Sequence, residues 1–389
     1  MASLAALEPG SLLDSRYEIL GSLGSGGMGL VFRAYDRVLD EQVALKVLAL
    51  ATLRDQGLVT RFRSEIKLAR RVRHRNVCAI HEYGECQDAL YVSMELIEGR
   101  DLRRILASQG PMLWEDAYDV MIQASEGLAA IHEAGVIHRD LKPANLMLDA
   151  QGIVRILDFG IAKALGREQD AAVTSAGHVV GSPEYMSPEQ VRGRPLDARS
   201  DLYSLGVVAF EVFTGLTPFR ADTPIATMLR HLENEPPLAA PQAARLPAAL
   251  LPILRSVLAK DPDERLATAA ELRDALGAAR AKLAGQTTEE QLAEPAVAPA
   301  PDPPSPEEPA ASAPPPVTHS SHARHLVPVL LRALRHPDPG TRLGAARALG
   351  RIGPDARPAL AALRAASEDS DESLRAAATR SIGQISSAD

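Results

Sequence analysis

The chain has 389 residues, longer than one hydrophobic core usually grows, so more than one domain is expected. Its apolar fraction of 46% is ample for packed cores, and its formal charge of −8 gives no general electrostatic case for nucleic acid or an anionic membrane surface. Cys78 and Cys86 are too few for a disulfide framework and have no metal-ligand pattern, which suits two free thiols in a reducing compartment. The opening "MASLAALEPGSLLDSRYEIL" has no positive region ahead of an apolar run, and no apolar stretch is long enough to span a bilayer. A cytoplasmic protein with no membrane span is expected.

In chain order, residues 17 to about 95 read as short strands around one helix, with "LVFRAY" and "QVALKVL" before the helical run "VTRFRSEIKLARRVRH". Between the first strands "LGSGGMGLVF" supplies Gly24, Gly26 and Gly29 as G-x-G-x-x-G. Glycine there permits a tight turn and lets backbone N–H groups approach phosphate oxygens. A dinucleotide site would need a helix directly afterwards, whereas "LVFRAYD" reads as strand. Lys46, in "VALKV", lies 22 residues after Gly24 among apolar neighbours, and Glu65 follows 19 residues later on the helical run. A strand lysine can pair with nucleotide phosphates while a helix carboxylate fixes its position. The basic run Arg61, Arg63, Lys67, Arg70, Arg71, Arg73 and Arg75 reads as a solvated helix face. It has no interleaved aromatics, so nucleic acid is not an expected partner.

Beyond Gly99 the pattern turns helical. "WEDAYDVMIQASEGLAAIHEAG" places Ala117, Val120, Met121, Ala124, Leu128 and Ile131 on one face, with Gly135 as the stop. Next comes "GVIHRDLKPANLML", which sets His138, Arg139, Asp140, Lys142 and Asn145 in an apolar stretch. Buried charges and amides are costly unless paired, so this segment reads as a loop held rigidly for chemistry.

Residues 277–322 shift to Pro, Ala and Glu and read as a disordered linker. It would reach roughly 140 Å as polyproline helix or roughly 40 Å as flexible coil. From 323 to 389 the chain repeats itself: "TRLGAARALGRIG" from Thr341 and "LRAAATRSIGQIS" from Leu374 match at an offset of 33 residues. Arg342 aligns with Arg375, and Asp338 and Asp371 each lie four residues before these arginines. Such helix pairs resemble short HEAT-like repeats, although the period is shorter than usual for that class. An ankyrin reading fits the period but lacks its T-P-L-H signature. Two repeats can complete themselves by docking on the rest of the chain, by forming a homodimer, or by adding to a partner protein.

Taken in order, the glycine loop, Lys46, Glu65, "HRDLKPAN", "DFG" at 158–160 and "SPE" at 187–189 resemble the protein kinases, more narrowly the bacterial serine/threonine kinases of eukaryotic type. The resemblance spans residues 17–276 and implies a two-lobed α+β fold with ATP and Mg2+ in the cleft and protein Ser/Thr hydroxyls as acceptors. Residue by residue, it implies that Gly24, Ser25, Gly26, Gly27, Gly29 and Val31 cover the nucleotide. Ala44 and Met147 would sandwich adenine, Glu95 to Ile97 would form the hinge behind the gatekeeper Met94, and Asp101 would contact ribose. For Asp101 a helix N-cap before "LRRIL" fits equally well, and Ala44, Met94 and Met147 also suit ordinary core packing.

By the same resemblance Lys46, held by Glu65, pairs with the phosphates. Asp140 accepts or orients the hydroxyl proton, Lys142 neutralises the transferring group and marks serine or threonine over tyrosine, and Asn145 and Asp158 hold magnesium. Asp201 would brace the catalytic loop, and Glu189 with Arg265 would form a buried ion pair. Ser182 stands where the family usually has threonine, keeping a hydroxyl able to bond Asp140. Thr174 and Ser175 occupy the usual autophosphorylation region, where Arg61, Arg139 and Lys163 would receive a phosphate. The competing reading is a catalytically weak kinase-fold scaffold acting through the repeats; it predicts loss of Lys46, Asp140 or Asp158, and all three are present.

Overall fold

The computed structural model describes residues 7–26, 29–49, 56–86, 89–159, 182–292 and 339–386, with Val327, Leu330, Leu331, Leu334 and Arg335. They fall into two compact units that divide after Ala279.

The first unit opens with strands β1 (Leu12–Leu13), β2 (Tyr17–Gly26), β3 (Gly29–Asp36) and β4 (Glu41–Ala49), helix α1 (Gln56–Ala69), and strands β5 (Ile80–Cys86) and β6 (Ala89–Glu95). They form a six-stranded sheet in the order β1-β2-β3-β4-β6-β5, and the recorded strand pairings are antiparallel. Side chains alternate across a strand, so β4 sends Val43, Leu45 and Val47 to one face, where they pack with Tyr17, Ile19 and Phe32. Ala44 and Lys46 belong to the opposite face. Of the basic run on and after α1, Arg63, Lys67, Arg70, Arg71, Arg73 and Arg75 are exposed.

A helical lobe follows. It begins with β7 (Gly99–Asp101), α2 (Leu102–Gln109) and α3 (Trp114–Glu133), then β8 (Leu146–Asp149) and β9 (Val154–Ile156), which join β7 in a small sheet. The face expected of α3 is the one that is buried: Ala117, Met121, Ala124, Leu128 and Ile131 are fully covered, and Gly135 takes a left-handed φ of 75° two residues past the last turn. After residue 182 come α4 (Pro188–Arg192), α5 (Ala198–Thr214), α6 (Pro224–Glu233), α7 (Leu251–Val257) and α8 (Ala269–Leu292). Helix α5 is the centre of the lobe and is buried from Ser200 to Thr214 except at Glu211. It approaches α7 closely at Gly206, where a Cβ would fall 2.5 Å from Val257 Cγ2.

One boundary differs from the sequence reading. The segment assigned to a linker from residue 277 opens as helix, because α8 continues to Leu292. Leu272, Leu276 and Ala279 are buried along one side, and the Ala-, Lys- and Glu-rich residues beyond favour continuing the helix already nucleated.

In the second unit α9 (Pro339–Ile352), α10 (Leu360–Ala366) and α11 (Glu372–Ser386) pack through small residues. Ala345, Ala346, Ala348 and Ala378 are fully buried, and Ser381 Oγ donates to Ala346 O at 2.8 Å. The expected Asp/Arg ladder is rearranged. Asp371 Oδ1 accepts from Ser373 N and Leu374 N at the start of α11, while Arg342 reaches Asp369 at 3.5 Å. A short carboxylate satisfies the open N–H groups of a helix start better than it reaches an arginine a turn away. Asp338 lies outside the described residues.

Candidate active site

Strand register assembles one wall of a cleft. Directly paired residues share a sheet face, and β4 pairs Lys46 with Val31 on β3 and Val92 on β6, while Ala44 pairs with Met94. Val31, Ala44, Lys46 and Met94 therefore stand on one face. Gly24, Ser25 and Gly26 pair with Val31, Leu30 and Gly29 at the β2–β3 hairpin, whose tip residue Gly27 lies outside the described residues. The hairpin glycines differ in what demands them. A Cβ at Gly29 would lie 2.2 Å from Val47 O, whereas one at Gly24 would meet nothing within 4 Å. Packing thus requires the first, and open space beside the second leaves room for a ligand's phosphates against bare backbone.

The residues expected to form the hinge follow on β6 and after it. Glu95 O accepts from the Cys78 thiol at 3.6 Å, and its carboxylate is occupied by Ala79 N at 3.2 Å and Arg155 at 3.3 Å. Ile97 and Met147, the latter on β8, are half-buried. Asp101 caps α2, its Oδ1 accepting from Arg104 N at 2.9 Å, so the capping role proposed from sequence is the one its geometry displays.

The opposite wall is the segment 138–145. Lys142 Nζ donates to Asp140 Oδ2 at 2.6 Å, and Asn145 Nδ2 donates to Asp140 O at 2.7 Å with a longer contact to Oδ2 at 3.4 Å. His138, fully buried, sits 2.8 Å from Leu157 O through Nε2 and accepts from Asp140 N through Nδ1. A carbonyl only accepts, so Nε2 carries the proton. Lys46 crosses from the sheet to Asp158, Nζ to Oδ1 at 2.7 Å, joining residues 112 apart in the chain. Glu65 on α1 is half-buried, and among the described residues the ion pair of Lys46 is with Asp158, whose left-handed φ of 60° is rare for a residue with a side chain. Arg139 has a similar φ of 71°. Thr174, Ser175 and Lys163 lie outside the described residues. Among the described residues no bond joins Ser182 to Asp140.

Bracing comes from α5. Asp201, 1% exposed, accepts His138 N at 2.7 Å and Arg139 N at 2.8 Å and lies 2.8 Å from His132 Nε2. Burial alone would push its carboxyl up, but the hydrogen bond and charge of His132, with His138 and the Arg139 N–H, hold it below the usual carboxylate range. Arg265 forks onto Glu189 at 2.7 and 2.9 Å. Sequence reasoning missed two members. His132, in the last turn of α3, carries no local signal of its pairing with Asp201. Gln190 closes a capping box with Ser187 and also donates to Arg139 O at 2.6 Å. The S-x-x-Q spacing signals the cap, but nothing local signals the second bond.

The donor set suits a hard divalent cation. Asn145 commits its amide nitrogen to Asp140 and keeps Oδ1, and the Asp158 side chain is 34% exposed, so both can give oxygen. Among the described residues there is no group of three or more metal-ligating side chains. One carboxylate and one amide are what an ion needs that completes its shell with phosphate oxygens and water.

These are the parts of a two-lobed phosphotransferase fold with a nucleotide cleft. Residues 17–276 match the protein kinase domain and residues 319–389 the HEAT repeats, and the chain belongs to the protein kinase family. It is 41% identical over 268 residues to the serine/threonine-protein kinase pkn3 of Myxococcus xanthus, covering 67% of this chain and 49% of that protein. It is also 41% identical over 270 residues to PknB of Mycobacterium tuberculosis, covering 68% and 42%. The match thus spans about half of these relatives or less. Among solved structures, the kinase domain of PknI from Mycobacterium tuberculosis superimposes with a TM-score of 0.56 at 26% identity, over 70% of this chain and 98% of that one. No described helix is long and apolar enough to cross a membrane.

Proposed function

We propose that the chain is a non-specific serine/threonine protein kinase transferring the γ-phosphoryl group of ATP to protein Ser/Thr hydroxyls. The observation that carries this is the convergence of Lys142 and Asn145 on Asp140 beside the Lys46–Asp158 pair. In-line phosphoryl transfer asks for positioning and charge neutralisation more than covalent chemistry. Both internal donors favour Asp140 Oδ2, which leaves Oδ1 to accept from the incoming hydroxyl as it attacks. Lys142 offsets negative charge on the phosphoryl group, and Lys46 orients the other phosphates from the sheet. Asp158 and Asn145 would hold magnesium, whose charge there offsets that of the phosphates.

The test uses the purified chain, radiolabelled ATP and a generic acceptor. Lys46→Met, Asp140→Asn and Asp158→Asn should each lower turnover by about 100-fold or more, and chelation of the divalent ion should do the same. Full activity in Asp158→Asn would overturn the assignment.

Autophosphorylation at Thr174 first and Ser175 second belongs to the same proposal. A phosphate there adds nearly two negative charges, which Arg61, Arg139 and Lys163 would receive, Arg139 lying beside Asp140 with its backbone N–H held by Asp201. Mass spectrometry of active protein should find phosphate within residues 170–182, and its absence together with unchanged rates in a double alanine variant would refute this. The acceptors are proteins, and residues 323–389 serve as an interaction module for a partner or a second copy. The free thiols of Cys78 and Cys86 support a cytoplasmic setting.

A further inference from the structure

The turn Pro183–Tyr185 is held from the helical lobe by side chains. Ser204 Oγ donates to Tyr185 O at 2.8 Å, the Tyr185 hydroxyl donates to Glu211 Oε2 at 2.7 Å, and His231 Nε2 lies 3.0 Å from Glu184 O. Just beyond the turn, Gln190 donates to Arg139 O, one residue from Asp140. Helix α5 therefore supports both, the turn through Ser204 and the segment ahead of the proposed base through Asp201 one helical turn away, which sets the turn next to the place where an acceptor hydroxyl would meet Asp140.

Behind the turn, hydrogen-bond directions are fixed from both ends. Glu184 O can only accept, so His231 Nε2 carries a proton. Burial pushes His231 down to about 3, so the neutral ring has no second N–H and its Nδ1 is an acceptor. The Tyr203 hydroxyl, 2.9 Å from Nδ1, must donate to it. Its oxygen then accepts from Lys260 Nζ at 3.3 Å. One directed chain thus runs from Lys260 through Tyr203 and His231 to Glu184. Tyr203 and His231 are fully buried, and polar groups in a core are costly unless such partners exist. Phe219 fixes the rings, stacking on Tyr203 at 6.3 Å and lying 4.7 Å from His231.

We infer that Tyr203 and His231 are positioning residues for the acceptor polypeptide, setting the placement of the Pro183–Tyr185 turn and through it the affinity for protein substrate, without acting on ATP. This rests on the kinase reading above. The experiment compares the full chain with Tyr203→Phe, His231→Asn and His231→Gln, measuring KM for acceptor peptide, KM for ATP, kcat and thermal unfolding. Glutamine carries its amide nitrogen to the place of Nε2 and can still donate to Glu184 O, whereas asparagine reaches only the place of Nδ1.

Tyr203→Phe and His231→Asn should raise the acceptor KM about three- to tenfold, the worth of one lost hydrogen bond, with KM for ATP unchanged. His231→Gln, which keeps the donor to Glu184 O but not the acceptor for Tyr203, should raise the acceptor KM clearly less than His231→Asn does. Because Asn and Gln are alike in polarity, their contrast separates positioning from general loss of stability. Acceptor and ATP constants moving together, or His231→Asn equal to the parent, would overturn the inference while the parent remains an active kinase. A parent that transfers no phosphoryl group would instead overturn the kinase reading, and the inference with it.

Discussion

Lys260 is a charged amine in a place that disfavours charge. Burial pushes it down to about 7, while the ring of Phe219 at 3.9 Å and that of Tyr203 at 5.5 Å work the other way by attracting the cation. Between about 7 and its ordinary value of 10.5 the folded chain binds fewer protons here than the unfolded chain. Stability contributed by this site therefore rises as pH climbs through that interval, and below it the penalty of a buried charge is fully present. The melting temperature of Lys260→Met relative to the parent should accordingly fall steadily between pH 7 and 10, as calorimetry would read. Parallel curves would refute the depressed amine. Asp201 also gains stability as pH rises, in the acid range: its depressed carboxyl stabilises the fold above the unfolded value and loses that contribution as pH falls through the folded one. Asp201→Asn offers a donor where His138 and Arg139 already donate, and it should cost about 3–5 kcal/mol in urea unfolding.

At the scale of elements, close helix approach is set by residues without side chains. A Cβ at Gly350 on α9 would lie 2.4 Å from Ser381 Oγ and 2.8 Å from its Cβ, so α11 would have to move. Gly350→Ala should destabilise the second unit by about 1–3 kcal/mol despite alanine's better helix propensity. A cooperative loss of helical signal at lower temperature, with the first unit's transition unmoved, is the result to look for. Helix α8 supplies a second case. Cutting after residue 276 removes Ala279, which is 4% exposed, whereas cutting after Leu292 leaves that face whole. The shorter fragment should melt earlier; equal melting temperatures would mean that residues 277–292 add nothing to the first unit.

For the whole molecule, removal of residues 293–389 should leave kcat on a generic peptide unchanged and alter which natural proteins are phosphorylated, because tethered binding raises the local concentration of chosen substrates without touching chemistry. Phosphopeptide comparison of cells carrying full and shortened chains reads this. An equal collapse of generic and natural phosphorylation would show that the repeats support catalysis directly.

What the sequence determined by itself was whatever depends on neighbours along the chain. The helix at 114–133 with its buried face, the alternation that puts Ala44 and Lys46 together, the capping box at Ser187 and the 33-residue repeat all follow from local spacing. The order of motifs also located most of the candidate site. Tertiary structure decided which distant groups meet: Lys46 with Asp158, His132 with Asp201, Gln190 with Arg139 O, and Tyr203 with His231. It also carried a helix past the compositional boundary at 277. The physical reason is that a side-chain hydrogen bond forms over about 3 Å. Periodicity fixes the face a residue occupies, but only the docking of whole elements brings two such groups within that reach.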